Sequence, residues 1–505
     1  MTNKTRTIID LRKLPVKDLT DISYGGKSSS LEEIDTETFA TAINKISNTF
    51  CIAKWKQTTL HLQNGHTHSC HHPQTHKIPW QELQTRPSAL HNTTKKMMMR
   101  DQMKNNVRPR ECEYCWRVED ARKKKGDPWS DRIHKSRDHW ALKHLPEILK
   151  NDSTYDVPPS YLEVSFSNVC NFKCAYCAPH ISSQWMQEIK AKGAYPTSAK
   201  FNNLDWIQKE GLMPIPNNKP NVYVEAFWKW FPEIYKHLEV FRITGGEPFM
   251  SKDTIKVLDF LTDNPAPNMS FAINTNLCIP DKLFEQVMGK LKRLVVEKKI
   301  KNLHLFTSAE AYGKASDYIR FGMDYELWYR NCQWVINNIP DVDENNPTVL
   351  TIMSTVNLLS LPSYVKFIQD VSMLKKEASV NMKNPKLYER DLKNMCPVRV
   401  DFPYLRNPEF LTMFLYQNPK FKLEGKKWID NAIFAAKMGG FNEYEIDRMT
   451  RLLNTYMGDQ RWTEVQRTKH ERDFKKYIIE YDKRRSVDFD TVFPELKTFK
   501  DSIIL

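Results

Sequence analysis

Three cysteines lie within the segment "SNVCNFKCAYC" (167–177), at Cys170, Cys174 and Cys177, and Tyr176 precedes the last of them. A structural zinc site needs four ligands around a closed tetrahedron, so three thiolates on one short segment leave such a site incomplete. The same three thiolates can hold three irons of a four-iron cluster and leave the fourth iron open to a small molecule. Zinc binding or chance remains the alternative explanation of this spacing when it is taken alone.

Further polar and glycine residues follow predicted strands along the chain. The segment "TGGEP" contributes Gly245, Gly246 and Glu247. Glycines let a backbone approach a ligand closely, and a carboxylate at this place accepts hydrogen bonds from an ammonium group. The carboxyl ends of parallel strands meet at the face where βα barrels collect their active-site groups. Five more residues in or just after predicted strands are candidates for that face: Asn274, Asn276, Ser308, Glu310 and Asn357.

In this order, the motifs resemble the radical S-adenosylmethionine (radical SAM) superfamily. That family places Cys-x3-Cys-x-aromatic-Cys after the first barrel strand and Gly-Gly-Glu after the second. The resemblance implies that the three cysteines bind a [4Fe-4S] cluster whose open iron binds the amino and carboxylate groups of S-adenosylmethionine. It also implies contacts with this cofactor for Tyr176, Gly245, Gly246, Glu247, Asn274, Asn276, Ser308, Glu310, Arg320 and Asn357.

The reaction implied by the resemblance is reductive cleavage of S-adenosylmethionine. It gives methionine and a 5′-deoxyadenosyl radical, which removes a hydrogen atom from the substrate. The protein then has to position that hydrogen atom and exclude water. A flavodoxin or ferredoxin is the expected electron donor.

Four more cysteines, Cys51, Cys70, Cys112 and Cys115, precede this region, and the first two flank a predicted hairpin that contains Gly65. Four soft ligands suffice for a closed iron–sulfur cluster or for zinc. The spacing resembles the start of twitch and SPASM modules, which implies an auxiliary [4Fe-4S] cluster, although such a module usually follows the barrel. Zinc and no metal remain alternatives. We expect the nearby histidines to be surface residues: His61, His66, His68, His71, His72 and His76.

The remaining cysteines, Cys278, Cys332 and Cys396, are isolated, and we expect ordinary buried thiols at these positions.

Strand-like and helix-like segments alternate after residue 160, which predicts parallel βα units. We predict an α/β fold, a partial (β/α)6 TIM-type barrel, with a doubly wound sheet as the alternative. A helix is expected over 280–294, where apolar residues share one face. The predicted strands are 161–168, 238–248, 269–277, 301–310, 348–357 and, as the sixth, 378–385.

The composition of the chain predicts five regions. Residues 46–120 contain few apolar runs, so we expect this part to bury little surface and to need a metal. In the tail, Asn442 and Glu445 predict a capped helix that Gly458 ends, and the basic stretch 468–486 predicts a solvent-facing helix. The predicted regions are an arm (1–45), a twitch-like auxiliary module (46–120), a helical linker (121–160), the barrel (161–400) and a helical C-terminal extension (401–505).

The 505 residues carry a formal net charge of +14 and are 40% hydrophobic, as in globular proteins. No apolar run approaches the roughly 20 residues that span a bilayer, and the first residues lack the apolar core of a signal peptide. We therefore expect a cytoplasmic protein without membrane contact, in which cysteines serve metal or redox chemistry sooner than disulfides.

Three functions are consistent with the sequence. The first is a radical SAM enzyme that acts on a peptide or protein side chain, as relatives with auxiliary clusters do. The second is a radical SAM enzyme that acts on a nucleotide or RNA, which the basic segments "KKMMMR" (95–100) and "YDKRRS" (481–486) motivate. The third is a non-catalytic, zinc-containing protein that binds nucleic acid.

Overall fold

The computed structural model describes residues 35–124, 126–380, 396–458 and 461–505. By contacts between Cα atoms the chain divides into two compact units. The first unit comprises the described residues up to Val164 together with Pro220–Phe241, and the second comprises Ser165–Lys219 and Arg242–Leu505. The division into five regions remains a prediction.

The strands are, in chain order, β1 (Gln57–His61), β2 (His66–His68), β3 (His76–Lys77), β4 (Tyr161–Ser165), β5 (Lys173–Cys174), β6 (Val240–Thr244), β7 (Ala266–Thr275), β8 (Ile300–Ser308), β9 (Arg320–Phe321), β10 (Thr348–Met353) and β11 (Val398–Asp401).

The α-helices are α1 (Thr36–Ile46), α2 (Ala53–Lys56), α3 (Trp80–Thr85), α4 (Thr94–Lys104), α5 (Glu113–Asp120), α6 (Asp131–Arg137), α7 (His139–Leu142), α8 (Leu145–Lys150), α9 (Ser183–Lys192), α10 (Leu204–Lys209), α11 (Val222–Ile234), α12 (Lys252–Asp263), α13 (Asp281–Val296), α14 (Lys314–Ile319), α15 (Tyr325–Asn338), α16 (Tyr364–Val380), α17 (Lys422–Met438), α18 (Glu443–Met457), α19 (Glu464–Arg485), α20 (Phe489–Val492) and α21 (Pro494–Ser502).

Alternating strands and helices form much of the second unit, in which β11-β10-β8-β7-β6 lie side by side in that order and β5 and β9 form a separate pair. The pairs β7/β8, β8/β10 and β10/β11 are parallel. The prediction of an α/β fold of the partial-barrel type is confirmed, and so are the five strands predicted between 161 and 357, which run shorter or begin a few residues earlier than expected. Within this row of strands, the residues predicted for the site lie at or just after the ends of β6, β7, β8 and β10.

The sixth predicted strand, 378–385, is wrong over its first three residues. Ala378–Val380 form the last turn of α16, where Leu374 and Ala378 are buried on one helix face, and 381–385 lie outside the described residues. The sixth strand of the series is β11, whose Val398 and Val400 are buried. Because a short apolar run carries no clear period, its sequence alone does not separate a strand from a helix end.

In the first unit, β4, β1, β2 and β3 lie side by side in that order, and β1 and β2 form the predicted antiparallel hairpin. Gly65 turns the hairpin with a φ of +67°, and a Cβ atom there would overlap the Tyr223 ring. This unit buries more apolar surface than its sequence predicts, because residues from 39 to 157 share one core. That core includes Phe50, Trp55, Trp116, Trp140 and Ile148.

The C-terminal region is helical, as predicted. The capping box of Asn442 and Glu445 is present at the start of α18. The expected solvent-facing basic surface is present on α19, where Lys469, Arg472, Lys476 and Lys483 are exposed. The opposite face was not expected: Phe474, Tyr477 and Tyr481 are fully buried in the core of the second unit. Within the described residues, no helix is long and apolar enough to cross a membrane.

Candidate functional site

The three-cysteine loop starts after β4 and is held at both ends by hydrogen bonds. The amide of Cys170 donates to Ser183 Oγ (3.1 Å), and the amide of Cys177 donates to the carbonyl of Cys174 (2.9 Å). Between them β5 pairs with β9, which sets Cys174 opposite Arg320. All ten cysteines of the chain are free thiols, so none of the three is tied up in a disulfide.

The thiols of the loop lie close together and are buried or half-buried. Burial raises the pKa of Cys170, and the neighbouring Cys174 and Cys177 raise it further. Burial likewise raises the pKa of Cys177 to about 12, with a smaller contribution from Cys174. The metal-free loop is therefore protonated at neutral pH, and a metal that binds the thiolates has to displace these protons.

The two glycines after β6 pack against the backbone that leads into this loop. The amide of Glu247 donates to the carbonyl of Val169 (2.7 Å). A Cβ atom on Gly246 would overlap the carbonyl oxygens of Asn168 and Val169, and Gly245 has a φ of +137°. Glycine is thus required here for contact between the end of β6 and the cysteine loop, in addition to any approach of a ligand.

Glu247 is buried, and three groups donate to its carboxylate. They are the Thr275 hydroxyl (2.7 Å), the Asn276 amide (2.7 Å) and the Phe249 amide (3.1 Å). Burial raises the pKa of Glu247 to about 7 against the opposing effect of these donors. A carboxylate with this pKa changes charge near neutral pH, and it lies close enough to Cys170 to raise the pKa of that thiol.

Arg320, Glu310 and Tyr176 form a buried network beside Cys174. Arg320 donates through Nε (2.9 Å) and Nη2 (2.8 Å) to Glu310 Oε2, and the Tyr176 hydroxyl donates to Glu310 Oε1 (2.9 Å). Although burial opposes its charge, the pKa of Arg320 is raised by Glu310, Tyr176 and Cys174. Arg320 Nη1 lies 3.8 Å from Cys174 Sγ, so this cation faces a predicted metal ligand.

Asn276 and Asn274 occupy different surroundings. Asn276 Nδ2 donates to Asn171 Oδ1 (2.8 Å), which places Asn276 beside the cysteine loop. Asn274 Oδ1 accepts from Arg242 Nε (2.9 Å), below the end of β7. Ser308 ends β8 and is half-buried.

Asn357 caps a short 3-10 helix: its Oδ1 accepts from the Leu359 amide and its Nδ2 donates to the Thr355 carbonyl. Its predicted contact with a cofactor stays a prediction, since both polar atoms already serve this turn.

Two residues that contact the predicted site were missed in the sequence. Thr275 orients Glu247, and Asn171 links the cysteine loop to Asn276 and to the carbonyl of Cys278 (2.7 Å). Thr275 lies between the predicted residues Asn274 and Asn276 in "NTNL", and this position in the sequence could have identified it as a residue of the site. Cys278 is buried and its thiol donates weakly to the Asp324 carbonyl, in keeping with the ordinary thiol expected there. Cys332 and Cys396 are buried as well.

The other four cysteines, in the first unit, line one cavity: Cys51, Cys70, Cys112 and Cys115. Burial raises the pKa of Cys112 to about 11 and that of Cys115 to about 12. Three cations border the same cavity, each paired with a carboxylate: Lys54 with Glu111, Arg132 with Glu119 and Lys135 with Asp131. Although burial opposes its charge, the pKa of Lys54 is raised, first by Cys112 and then by Glu111.

Two further cations of this unit are buried, and no carboxylate among the described residues pairs with either. Lys96 Nζ donates to the hydroxyls of Thr58 and Thr67 (both 2.8 Å), and burial holds its pKa well below the usual range. Arg100 Nη1 donates to Asn92 Oδ1 (2.8 Å), and burial lowers its pKa to about 9. A buried cation is costly unless negative charge lies nearby, and metal-bound thiolates supply such charge. Lys96 and Arg100 both belong to "KKMMMR" (95–100), so these two cations are not part of a basic surface that could contact nucleic acid.

The histidines near the four cysteines are not uniformly exposed, and the expectation of surface residues is wrong for three of them. His66, His68 and His76 are buried. Burial lowers the pKa of His68 to about 3 and that of His76 to about 2, so both are neutral. His71 is exposed, and His72 Nε2 donates to Asp131 Oδ2 (2.6 Å) at the edge of the cysteine cavity.

Both cysteine sets suit the groups that the sequence suggests for them. The loop of the second unit offers three thiols and a nearby carboxylate, which matches a cluster with one open iron. The first unit offers four thiols around a single cavity, which matches a closed cluster. Among the described residues no three His, Cys, Asp or Glu side chains converge on one point as ligands of a single metal ion do.

Comparisons with known proteins agree with this arrangement. The profile of the radical SAM superfamily matches residues 164–368, a stretch that contains the cysteine loop, Glu247, Glu310 and Arg320. No solved structure matches the chain.

Curated proteins similar to the chain are named GTP 3′,8-cyclase. The one from Sulfurimonas denitrificans is 28% identical over 144 residues, which is 28% of this chain and 36% of that protein. The one from Pectobacterium atrosepticum is 29% identical over 116 residues, or 23% of this chain and 26% of that protein. The chain thus spans about a third or less of the length of these relatives, and the four cysteines of the first unit have no counterpart in the matched family region.

Proposed function

Because the chain carries a radical SAM domain, we propose that it is a radical SAM enzyme that cleaves S-adenosylmethionine reductively and abstracts a hydrogen atom from a substrate. One observation carries this proposal: one loop holds three thiols, of which Cys170 is buried and Cys174 and Cys177 are half-buried, and Cys170 lies close to the buried carboxylate of Glu247. The experiment that tests it is anaerobic reconstitution with iron and sulfide, reduction with dithionite, and assay for 5′-deoxyadenosine.

When bound at Cys170, Cys174 and Cys177, a [4Fe-4S] cluster supplies the electron that breaks the carbon–sulfur bond of S-adenosylmethionine. Glu247 would accept a hydrogen bond from the amino group of the cofactor, and its three protein donors keep the carboxylate in place. Arg320 supplies positive charge next to Cys174. A reduced flavodoxin or ferredoxin is the proposed electron donor.

The four thiols of the first unit are the proposed ligands of an auxiliary [4Fe-4S] cluster. Support comes from their common cavity and from the cations that line it, Lys54, Arg132 and Lys135. Zinc is the alternative, and the metal content of the purified protein separates the two. With both clusters in place we expect about eight irons per chain, whereas one cluster and one zinc give about four irons.

A peptide or protein side chain is the substrate class that we propose first. It rests on the resemblance of the four-cysteine module to the auxiliary modules of peptide-modifying radical enzymes. Fold and cofactor do not determine a substrate, so this part of the proposal depends on that module alone.

A nucleotide is the second candidate, and two observations favour it. The relatives named above are called GTP 3′,8-cyclases. In addition, a groove of about 380 Å³ just after β11 is lined by Tyr404 and by Arg406, Arg448 and Arg451. Guanidinium groups beside an aromatic ring suit the phosphates and the base of a nucleotide.

GTP is the probe that separates the two substrate classes. If a nucleotide is the substrate, GTP binds the reconstituted protein with a strong dependence on salt, and Arg406→Glu with Arg451→Glu weakens binding at least tenfold. Arg330→Glu, an exposed arginine on α15, is the matched control. Absence of GTP binding at low ionic strength leaves the peptide class as the proposal.

The third function, a non-catalytic zinc protein that binds nucleic acid, is also open to a direct test. It requires a colourless protein with zinc and no iron. A brown protein that contains iron after anaerobic purification excludes it.

A further inference from the structure

Three consecutive carbonyl groups of the cysteine loop accept hydrogen bonds from side chains outside the loop. Arg485 Nη1 donates to the carbonyl of Lys173 (2.7 Å), Trp185 Nε1 to that of Cys174 (2.9 Å), and the Tyr477 hydroxyl to that of Ala175 (2.6 Å). Two of these donors, Arg485 and Tyr477, belong to α19 in the C-terminal region.

The guanidinium of Arg485, the last residue of α19, is held by a carboxylate and an aromatic ring as well as by the loop carbonyl. Its guanidinium lies 3.3 and 3.4 Å from the two carboxylate oxygens of Glu188 and 3.8 Å from the centre of the Tyr481 ring. The side chain has no exposed surface. Glu188 is further bound by Lys173 Nζ (2.7 Å) and by the Tyr195 hydroxyl (2.6 Å).

The charges of this network do not cancel. Arg485 and Lys173 are cations and Glu188 is the one anion that they share, so the cluster of three residues carries one net positive charge. This net positive charge lies next to the cluster ligands, because Lys173 directly precedes Cys174. Arg320 contributes no such excess on the other side of the loop, since Glu310 neutralises it.

Helix α19 itself is anchored independently of the loop. The Tyr481 hydroxyl donates to the carbonyl of Tyr318 (2.5 Å), and the Tyr318 hydroxyl donates to Asp482 Oδ1 (2.6 Å). Phe474 and Ile478 are buried in the same core. These contacts therefore fix the positions of the donors on α19 independently of the loop.

We propose that α19 is a positioning element for the three-cysteine loop, in which Tyr477 and Arg485 orient the loop backbone and Arg485 adds the positive charge that favours the reduced, more negative cluster. This inference rests on the proposed function, because it assumes a cluster at Cys170, Cys174 and Cys177. Donors to the carbonyls of a loop fix its peptide planes, and the opposite N–H of Ala175 is held as well, by the carbonyl of Ile319 (2.6 Å). Charges and hydrogen bonds around the ligands tune the reduction potential of such a cluster.

The test compares reconstituted variants of the full chain by two measurements: the midpoint potential of the cluster, and the rate at which a chelator removes its iron. Arg485→Gln removes the charge and the fork of donors, Arg485→Lys keeps the charge, and Tyr477→Phe removes one donor without changing charge. Arg484→Gln is the matched control, because Arg484 is the neighbouring arginine and donates to the carbonyl of Gly193, away from the loop.

We expect Arg485→Gln to shift the midpoint potential to more negative values and to lose iron at least fivefold faster than Arg484→Gln. Arg485→Lys and Tyr477→Phe should lose iron faster while keeping the wild-type potential. If Arg485→Gln does not fold, these two variants still decide the positioning role. Potentials and iron loss equal to those of Arg484→Gln in all three variants overturn the inference. Failure of the wild-type protein to bind a cluster at this loop overturns the proposed function instead.

Discussion

At the scale of single residues, Glu247 and Arg320 differ in how their charge is stabilised. Glu247 is buried among neutral donors, whereas Arg320 is buried against the carboxylate of Glu310. The first group therefore titrates near neutral pH, and the second stays charged. Each leads to its own prediction.

The affinity of the reconstituted protein for S-adenosylmethionine should rise with pH through about 7. Burial raises the pKa of Glu247 to about 7, so the carboxyl is protonated below this pH and accepts poorly from the amino group of the cofactor. Above it the carboxylate forms a charge-assisted hydrogen bond, which contributes roughly 1.5–3 kcal/mol. Equilibrium binding between pH 6 and 8.5 measures the effect.

Glu247→Gln is the control for this pH dependence. It should bind about tenfold more weakly at pH 8 and show a flat profile, because an amide does not titrate in this range. A variant with the same slope as the wild type would assign the titration to another group.

Arg320→Met should lower the free energy of unfolding by about 3–5 kcal/mol, because it leaves the Glu310 carboxylate buried without its cation. Urea unfolding of the cluster-free protein measures this loss. The double variant Arg320→Met with Glu310→Gln should recover part of it, since no buried charge remains. The prediction is wrong if the double variant loses as much free energy of unfolding as the two single variants together.

At the scale of elements, the close contact between the end of β6 and the cysteine loop depends on Gly246. Gly246→Ala should destabilise the protein by about 2 kcal/mol and reduce cluster incorporation, because the new methyl group overlaps the Asn168 and Val169 carbonyls. Gly289→Ala is the matched control, since nothing lies within 4 Å of a Cβ atom there and alanine is the better helix former in α13. Equal stability of the two variants, measured by thermal unfolding, would contradict this reading.

The order of strands and the place of each motif after a strand were predictable, because apolar alternation and glycine-containing turns are local signals. The burial of Lys96 and Arg485 was not predictable from the basic runs that contain them. Whether a cation in such a run faces solvent depends on the partners that tertiary contacts bring, here two threonine hydroxyls and Glu188. The buried face of α19 was not predicted for the same reason: tertiary contacts, and not its basic sequence, decide which of its residues are buried.

At the scale of the whole molecule, the chain carries two separate cysteine sets, one in each compact unit. Changing Cys112 and Cys115 to Ala should halve the iron content, from about eight to about four per chain, and leave the spectrum of an S-adenosylmethionine-sensitive cluster. Iron analysis and low-temperature EPR measure both effects. Unchanged iron with a loss of zinc would show that the first unit holds zinc.

The most direct measurement is the formation of 5′-deoxyadenosine after anaerobic reduction of the reconstituted protein with dithionite in the presence of S-adenosylmethionine. The account predicts that the wild-type protein produces it and that Cys174→Ala does not, while Cys278→Ala, which changes a buried thiol outside the loop, retains the activity. A wild-type protein that holds its full iron content but yields no 5′-deoxyadenosine contradicts the account.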